Sequence, residues 1–298
     1  MQISPKITNS VYILLKTVEN ASSRDSVITL QLALFYTTIG VITTRFLSII
    51  FPVTLGDFEI HISFFAMIVL CWSTITLIFP MQTTPHIRTI ATTFISIGSI
   101  LDETFWMIVR NPPLVPGSPD QVGYWSLESM IFTIFSFTIL ILLIWLATSK
   151  WREYKPIPQL TWWEILIFIL ILYAGLIAFQ MSQASIRFEV PNAERSLMIL
   201  GYEIHHIVQG QFILMIAIIL MLTASGRPLP RRISFILATL GCLFVADQIL
   251  YYQFDSVTDE RYFGTVTRIS GAFACSIMAC RLIYLKLKNS EDPGGEEE

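Results

Sequence analysis

Charged residues are scarce in this chain, which is the first fact that bounds its class. Only 14% of its 298 residues are Asp, Glu, Lys or Arg, whereas 54% are hydrophobic. An ordinary soluble domain carries about 25% charged residues. The apolar residues also occur in runs of about 20, the length that crosses the hydrocarbon layer as a helix. The composition therefore predicts an integral membrane protein in contact with the lipid bilayer, and the net charge of −3 gives no reason to expect a nucleic-acid partner.

The chain also lacks the common catalytic motifs. It contains no Gly-x-Ser-x-Gly, no His-Glu-x-x-His and no phosphate-binding loop. No lysine lies in the interior of a predicted span, which argues against a retinal Schiff base. The four cysteines, Cys71, Cys242, Cys275 and Cys280, have no spacing typical of a metal site. We expect them to pack as small apolar side chains.

Eight apolar segments are long enough to span a membrane, and short links with turn residues such as Pro85 and Pro228 separate them. The predicted fold class is an all-α integral membrane protein with eight transmembrane helices. The predicted spans cover residues 28–51, 60–80, 87–109, 128–148, 162–182, 198–223, 232–253 and 266–286.

The basic residues predict the orientation of these spans. An even number of spans places both termini on one side, and all six lysines fall on that side, which predicts that both termini are cytoplasmic. Residues 1–27 are expected to remain there as a retained segment, either an interfacial helix or an unstructured stretch. Residues 289–298 form an acidic tail that is expected to be disordered and is a candidate contact for a protein partner.

Polar patterns in two halves of the chain resemble each other. Phe58-Glu59-Ile60-His61 and Tyr202-Glu203-Ile204-His205 lie 144 residues apart, and Asp102-Glu103 and Asp247-Gln248 lie 145 residues apart. Arg45-Phe46 in the first half likewise corresponds to Arg187-Phe188 in the second. These matches predict two tandem four-helix repeats, residues 28–155 and 156–288, in the same orientation about a pseudo-twofold axis along the membrane normal.

The repeated polar residues fall at one depth, in the extracytoplasmic half of the predicted spans. Ionisable groups in hydrocarbon are costly, so they should face the bundle interior or a wet cavity. His206 is the most specific candidate, because Ile62 stands at the matching position of the first repeat. The ligand-binding candidates are Arg45, Glu59, His61, Asp102, Glu103, Glu203, His205, His206, Gln209, Asp247 and Gln248.

Two interpretations of these residues remain open. Glu203 and His206 lie three apart on one predicted helix, so they share a face and could hold a divalent metal as cofactor together with Asp247. Alternatively, the same groups hold the helices together, with an arginine of the first helix of a repeat bonding to the aspartate of its third. Residues that hold the helices should occur in both repeats, whereas ligand residues need occur in only one.

Three functions are compatible with this pattern. The chain could bind a cation or small polar ligand in a polar extracytoplasmic pocket and transport it, because the acidic outer side would attract cations. It could be a membrane-embedded, metal-dependent enzyme acting on a lipid-like substrate. It could also be a sensor or structural subunit of a membrane complex. The sequence does not identify the ligand or decide among the three.

Overall fold

The computed structural model describes residues 26–47, 53–56, 58–78, 87–109, 127–150, 160–189, 197–199, 202–224, 228–253 and 262–291. This part of the chain contains eight long helices. They are α1 Ser26–Leu47, α2 Ile62–Ile78, α3 Ile87–Val109, α4 Leu127–Lys150, α5 Trp162–Glu189, α6 His206–Ala224, α7 Pro228–Gln248 and α8 Thr265–Glu291. A short 3-10 helix, Tyr251–Gln253, follows α7.

Five of these helices are long and apolar enough to cross a membrane. The qualifying segments are Leu30–Leu47, Leu127–Leu146, Trp162–Ser182, Leu229–Gln248 and Thr265–Lys288. The apolar parts of α2 and α6 are shorter, at Ile62–Leu77 and His206–Leu222. Large side chains such as Phe135, Trp145 and Trp163 are exposed on the outside of the helices, as suits a surface that faces lipid. The prediction of a multi-pass helical membrane protein is thus confirmed, but five rather than eight helices qualify as spans within the described residues.

The helices pack in two sets that also contact each other. In the first set, α3 lies against α1, α2 and α4; in the second, α7 lies against α5, α6 and α8. Between the sets, α2 contacts α8 and α4 contacts α6. One end of the bundle contains the C-terminal ends of α1, α3, α5 and α7 together with the N-terminal ends of α2, α4, α6 and α8. We call this the polar end of the bundle, because most of the side-chain bonds between helices in the described part of the chain are found there.

Glycines allow two helix pairs to approach closely. A Cβ atom added to Gly40 on α1 would lie 2.2 Å from the carbonyl oxygen of Ile95, and one added to Gly98 on α3 would lie 2.1 Å from that of Thr37. On α6 and α7, an added Cβ at Gly210 or Gly241 would meet the other glycine's carbonyl oxygen at 3.0 Å. Small residues at such crossings allow van der Waals contact between backbones in a membrane.

Two short β-hairpins, which the sequence did not predict, precede α2 and α6 in this otherwise helical structure. Strand β1, Val53–Leu55, pairs with β2, Phe58–Ile60, and β3, Leu197–Ile199, pairs with β4, Tyr202–Ile204; both pairs are antiparallel. The repeated aromatic-Glu-Ile residues are therefore strands, and the predicted spans 60–80 and 198–223 begin too early. In the first hairpin, Gly56 has a φ of 62°, a conformation that glycine adopts readily in a two-residue hairpin turn.

Helix ends differ from the predicted boundaries elsewhere. Helix α5 continues to Glu189, beyond the predicted end at 182, and α8 continues to Glu291, beyond 286. The predicted N-terminal segment up to residue 25 and the tail from residue 292 lie outside the described residues. The expectations for those two segments, including the partner contact of the tail, therefore stay predictions.

Candidate functional site

An ion pair joins α1 to α3 at the polar end of the bundle. Arg45 Nε lies 2.6 Å from Asp102 Oδ1, and the Asp102 side chain is completely buried. Arg45 Nη2 also donates to Ser129 Oγ and Thr133 Oγ1 on α4, both at 3.2 Å. One guanidinium therefore connects three helices of the first set. This is the bond that the helix-holding interpretation expects between the first and third helices.

The neighbouring residues Glu103 and Gln248 bind the starts of two helices. Glu103 Oε2 accepts a 2.8 Å hydrogen bond from the backbone N–H of Ser63, in the first turn of α2. Gln248 Oε1 accepts a 2.9 Å hydrogen bond from the backbone N–H of Ile207, in the first turn of α6. The first N–H groups of a helix have no partner within the helix. These two side chains therefore cap α2 and α6, one with a carboxyl group and the other with an amide.

His61 and His205 both stand immediately before a helix. The carbonyl oxygen of His61 accepts from the N–H of Phe64, and that of His205 accepts from the N–H groups of Val208 and Gln209. Their repetition is thus associated with helix starts. Gln209, another candidate, is half-buried in the first turn of α6.

Asp247 on α7 is completely buried, like Asp102, but its partners are of another kind. Its Oδ1 accepts from Gln180 Nε2 at 3.2 Å, and its Oδ2 accepts from the Tyr262 hydroxyl at 2.6 Å. Burial, and secondarily the nearby Asp247, raises the pKa of the Tyr262 hydroxyl well above its ordinary value. The hydroxyl is therefore protonated and can donate. Within the described residues, both hydrogen-bond donors to Asp247 are neutral.

The two adjacent histidines lie against different aromatic groups. His206 packs edge-on against Phe179, with ring centroids 4.3 Å apart, and lies 5.9 Å from the ring of Phe244. Phe179 is adjacent to Gln180 on α5, while Phe244 precedes Asp247 by three residues and so shares a face of α7 with it. His206 is thus held on the side of α7 that carries Asp247.

His205 belongs to a tyrosine group. Its ring lies 5.4 Å from Tyr252 and 6.3 Å from Tyr251. Tyr251 in turn packs against Tyr262 at 5.2 Å. An unbroken series of aromatic contacts therefore runs from His205 to the hydroxyl-bearing ring that bonds to Asp247.

A further bond connects the two helix sets. Gln253, in the 3-10 helix after α7, accepts a 3.1 Å hydrogen bond at Oε1 from the backbone N–H of His61. Gln253 and His61 are both buried. The second set thereby contributes a side chain to the start of α2 in the first.

Glu203 and His206 do not share a helical face, contrary to the expectation from the sequence. Glu203 lies in strand β4, whereas His206 is the first residue of α6. The side chains of Glu203 and Glu59 lie outside the described residues. Among the residues that are described, no group of three or more His, Cys, Asp or Glu side chains could hold a metal ion. Because the Glu203 side chain lies outside the described residues, the predicted trio of His206, Glu203 and Asp247 stays a prediction.

Two residues of this region were missed at the sequence level. Gln180 is a single amide near the end of a long apolar helix, and Tyr262 precedes the apolar residues of α8. A different alignment would have pointed to Gln180, because it follows Gly175 by five residues, as Arg45 follows Gly40. The side chain of Arg187, the residue matched with Arg45 from the sequence, lies outside the described residues.

Comparisons of the chain with models of protein families, with curated proteins and with solved structures found no match. The geometry of the polar end is therefore the basis for inferring a function.

Proposed function

We propose that this chain is a multi-pass membrane protein of two tandem four-helix units, and that its second unit binds a small cation beside Asp247. The proposed site consists of Asp247, Gln180, Tyr262 and His206, and we call these four residues the Asp247 cluster. The first unit has a structural role at the corresponding place, because Arg45 and Asp102 hold its helices together.

The difference between the two aspartates carries this proposal. Asp102 has a guanidinium at 2.6 Å, whereas Asp247 accepts hydrogen bonds from an amide and a hydroxyl among the described residues. A buried carboxylate without a nearby positive charge is costly in protein and more so in a membrane. A bound cation would supply the charge that Arg45 supplies in the first unit.

The surroundings of Asp247 suit a cation. The hydroxyl oxygen of Tyr262 and the amide oxygen of Gln180 are ligands of the kind that small hard cations prefer. The rings of Tyr251 and Tyr262 carry partial negative charge on their faces, which attracts ammonium groups. His206 Nδ1 is buried and has no hydrogen-bond partner within the described residues, so it offers one further polar atom on this side of α7.

Several correspondences support the tandem arrangement. Gly40 and Gly175, and Arg45 and Gln180, are each separated by 135 residues, while Asp102 and Asp247 are separated by 145. A change in loop length accounts for the different offsets, and the α1–α5 correspondence replaces the earlier match of Arg45 with Arg187. If α2 corresponds to α6 and α4 to α8, a twofold relation turns the contact of α2 with α8 into that of α6 with α4. Both contacts are present. Both units would then have one orientation, with the termini on the cytoplasmic side.

The proposal is tested by measuring how cations change thermal stability. The purified protein in detergent is heated in sodium, potassium or choline chloride at equal ionic strength. A ligand at a hundred times its Kd stabilises the folded state by about 2.7 kcal/mol. We expect one of these cations to raise the Tm of the wild-type chain above the value in the others, and Asp247→Asn to abolish that difference.

Asp102→Asn is the matched control, because it makes the same chemical change in the equivalent position of the first unit. We expect it to lower the Tm in every salt but to preserve the difference among cations. Equal Tm values of the wild-type chain in all three salts, or the same cation response in Asp247→Asn, would contradict the proposal. The proposal is one of binding, and it includes neither catalysis nor a resident metal cofactor.

A further inference from the structure

Arg281 on α8 has no carboxylate partner among the described residues. Its Nη2 atom is 3.4 Å from Thr76 Oγ1, a long hydrogen bond. The guanidinium carbon lies 4.4 Å from the ring centroid of Trp72 and 5.7 Å from that of Tyr284. Its Nε is buried without a hydrogen-bond partner in the described part of the chain. The guanidinium is therefore held mainly by aromatic rings and has unused donor capacity.

This arginine lies where α2 and α8 meet, away from the polar end. Thr76 is two residues before the end of α2, so the guanidinium is near the level at which that helix finishes. The Trp72 and Tyr284 side chains are 44% and 53% exposed, and on a membrane-embedded bundle such exposed rings face lipid. Aromatic residues of this kind are enriched where the hydrocarbon layer meets the headgroups.

We propose that Arg281, held in place by Trp72 and Thr76, binds the phosphate of an anionic phospholipid headgroup. A guanidinium presents its donors as a planar fork that matches two phosphate oxygens, and it can stack on an aromatic ring at the same time. The Thr76 hydroxyl accepts from Nη2 of Arg281 and donates to the carbonyl oxygen of Trp72 at 3.0 Å, so it orients the fork. Arg281 is on the side that carries the lysines, which is predicted to be cytoplasmic, and anionic lipids give that leaflet a negative surface potential.

Another arginine assigned to this side provides a contrast. Arg231 lies 3.1 Å from Glu164, so its charge already has a partner within the chain. A lipid phosphate would have to compete with that carboxylate for Arg231, whereas no such competitor is found near Arg281 in the described residues. Positive charge alone would make the two arginines equivalent, but their local contacts do not.

Native mass spectrometry of the full chain released from detergent micelles tests the proposal. Phosphatidylglycerol and phosphatidylcholine are the lipid probes, and inorganic phosphate is the competitor. We expect the wild-type chain to retain phosphatidylglycerol in preference to phosphatidylcholine. Arg281→Gln should weaken phosphatidylglycerol binding about fivefold, since one basic residue near an anionic surface contributes about 1 kcal/mol. Arg231→Gln is the matched control and should bind as the wild type does.

Arg281→Lys keeps the charge but removes the planar fork, so it tests the site even if the glutamine variant folds poorly. We expect its affinity to lie between those of the other two forms. Wild-type affinity in Arg281→Lys would overturn the role of the guanidinium, and wild-type affinity in Arg281→Gln would overturn the site. Displacement of the lipid by inorganic phosphate at equal concentration would also overturn it, because the site would then be one for free phosphate. None of these outcomes depends on cation binding at Asp247.

Discussion

The Tyr262 hydroxyl donates a 2.6 Å hydrogen bond to Asp247, which links a residue three positions before α8 to the end of α7. Both residues are buried, and a hydrogen bond to a charged group contributes about 1.5–3 kcal/mol. This bond places an aspartate and a tyrosine ring together at the proposed cation site. It also fixes the start of α8 relative to α7.

Tyr262→Phe should lower the free energy of unfolding by about 1.5–3 kcal/mol, because Asp247 loses one of its two donors. Denaturant titration of the detergent-solubilised protein measures this change. Tyr36→Phe is the control, because the Tyr36 hydroxyl makes no hydrogen bond within the described residues, and it should change stability by less than about 0.5 kcal/mol. Equal effects of the two substitutions would show that the Tyr262–Asp247 bond does not stabilise the fold.

Breaking the Arg45–Asp102 pair should be far more damaging than breaking the pair between Arg231 and Glu164. Arg45→Gln leaves a buried carboxylate without its cation, which costs about 3–5 kcal/mol. Arg231→Gln removes a partner from a more exposed pair, worth about 0–1 kcal/mol. The same titration compares the two variants. A double-mutant cycle with Asp102→Asn should yield a coupling energy above about 1 kcal/mol, and independent effects would contradict the network.

The cap of α2 should require an acceptor oxygen rather than a charge. Glu103→Gln keeps an oxygen for the Ser63 N–H and reproduces the residue that caps α6 in the second set, so we expect a loss below about 1 kcal/mol. Glu103→Leu removes the acceptor and should cost about 1–2 kcal/mol more, as loss of a helix cap does. Thermal unfolding of both variants tests this order. If the leucine variant were as stable as the glutamine variant, the capping role would be wrong.

Gly98→Ala should separate α1 from α3. The added Cβ would lie 2.1 Å from the Thr37 carbonyl oxygen, which is backbone and cannot rotate away. We expect a loss of about 3 kcal/mol or more, at the upper end of overpacking effects. Gly271→Ala is the control, because a Cβ added there would lie 3.1 Å from its nearest neighbour, the Ala246 carbonyl oxygen. A smaller loss at Gly98 than at Gly271 in denaturant titration would contradict the close crossing.

Composition predicted the class of protein and the middle of most helices, since apolar runs of membrane length have few other stable structures. It did not predict the hairpins. Residues 58–60 and 202–204 adjoin apolar helices, so a hydropathy pattern extends across the boundary, although the Gly56 turn and the alternation around it were visible. The bond of Arg45 to Asp102 followed from the expectation that buried charges pair.

The partners of Asp247 could not be found in the same way. The sequence match allows offsets of 138 to 145 residues, which pairs Arg45 with Arg187 and leaves out Gln180 at an offset of 135. Gln180 aligns with Arg45 only when α5 is aligned with α1 separately, through Gly175 and Gly40. Hydrogen bonding by a lone amide or hydroxyl depends on helix rotation, and apolar runs as uniform as those of α5 contain little information about rotation.

Asp247→Asn and Asp102→Asn, compared in sodium, potassium and choline chloride at equal ionic strength, test the central claim most directly. The account predicts that one cation raises the Tm of the wild-type chain and of Asp102→Asn, but not that of Asp247→Asn. A cation response that survives in Asp247→Asn, or that disappears only in Asp102→Asn, would contradict it.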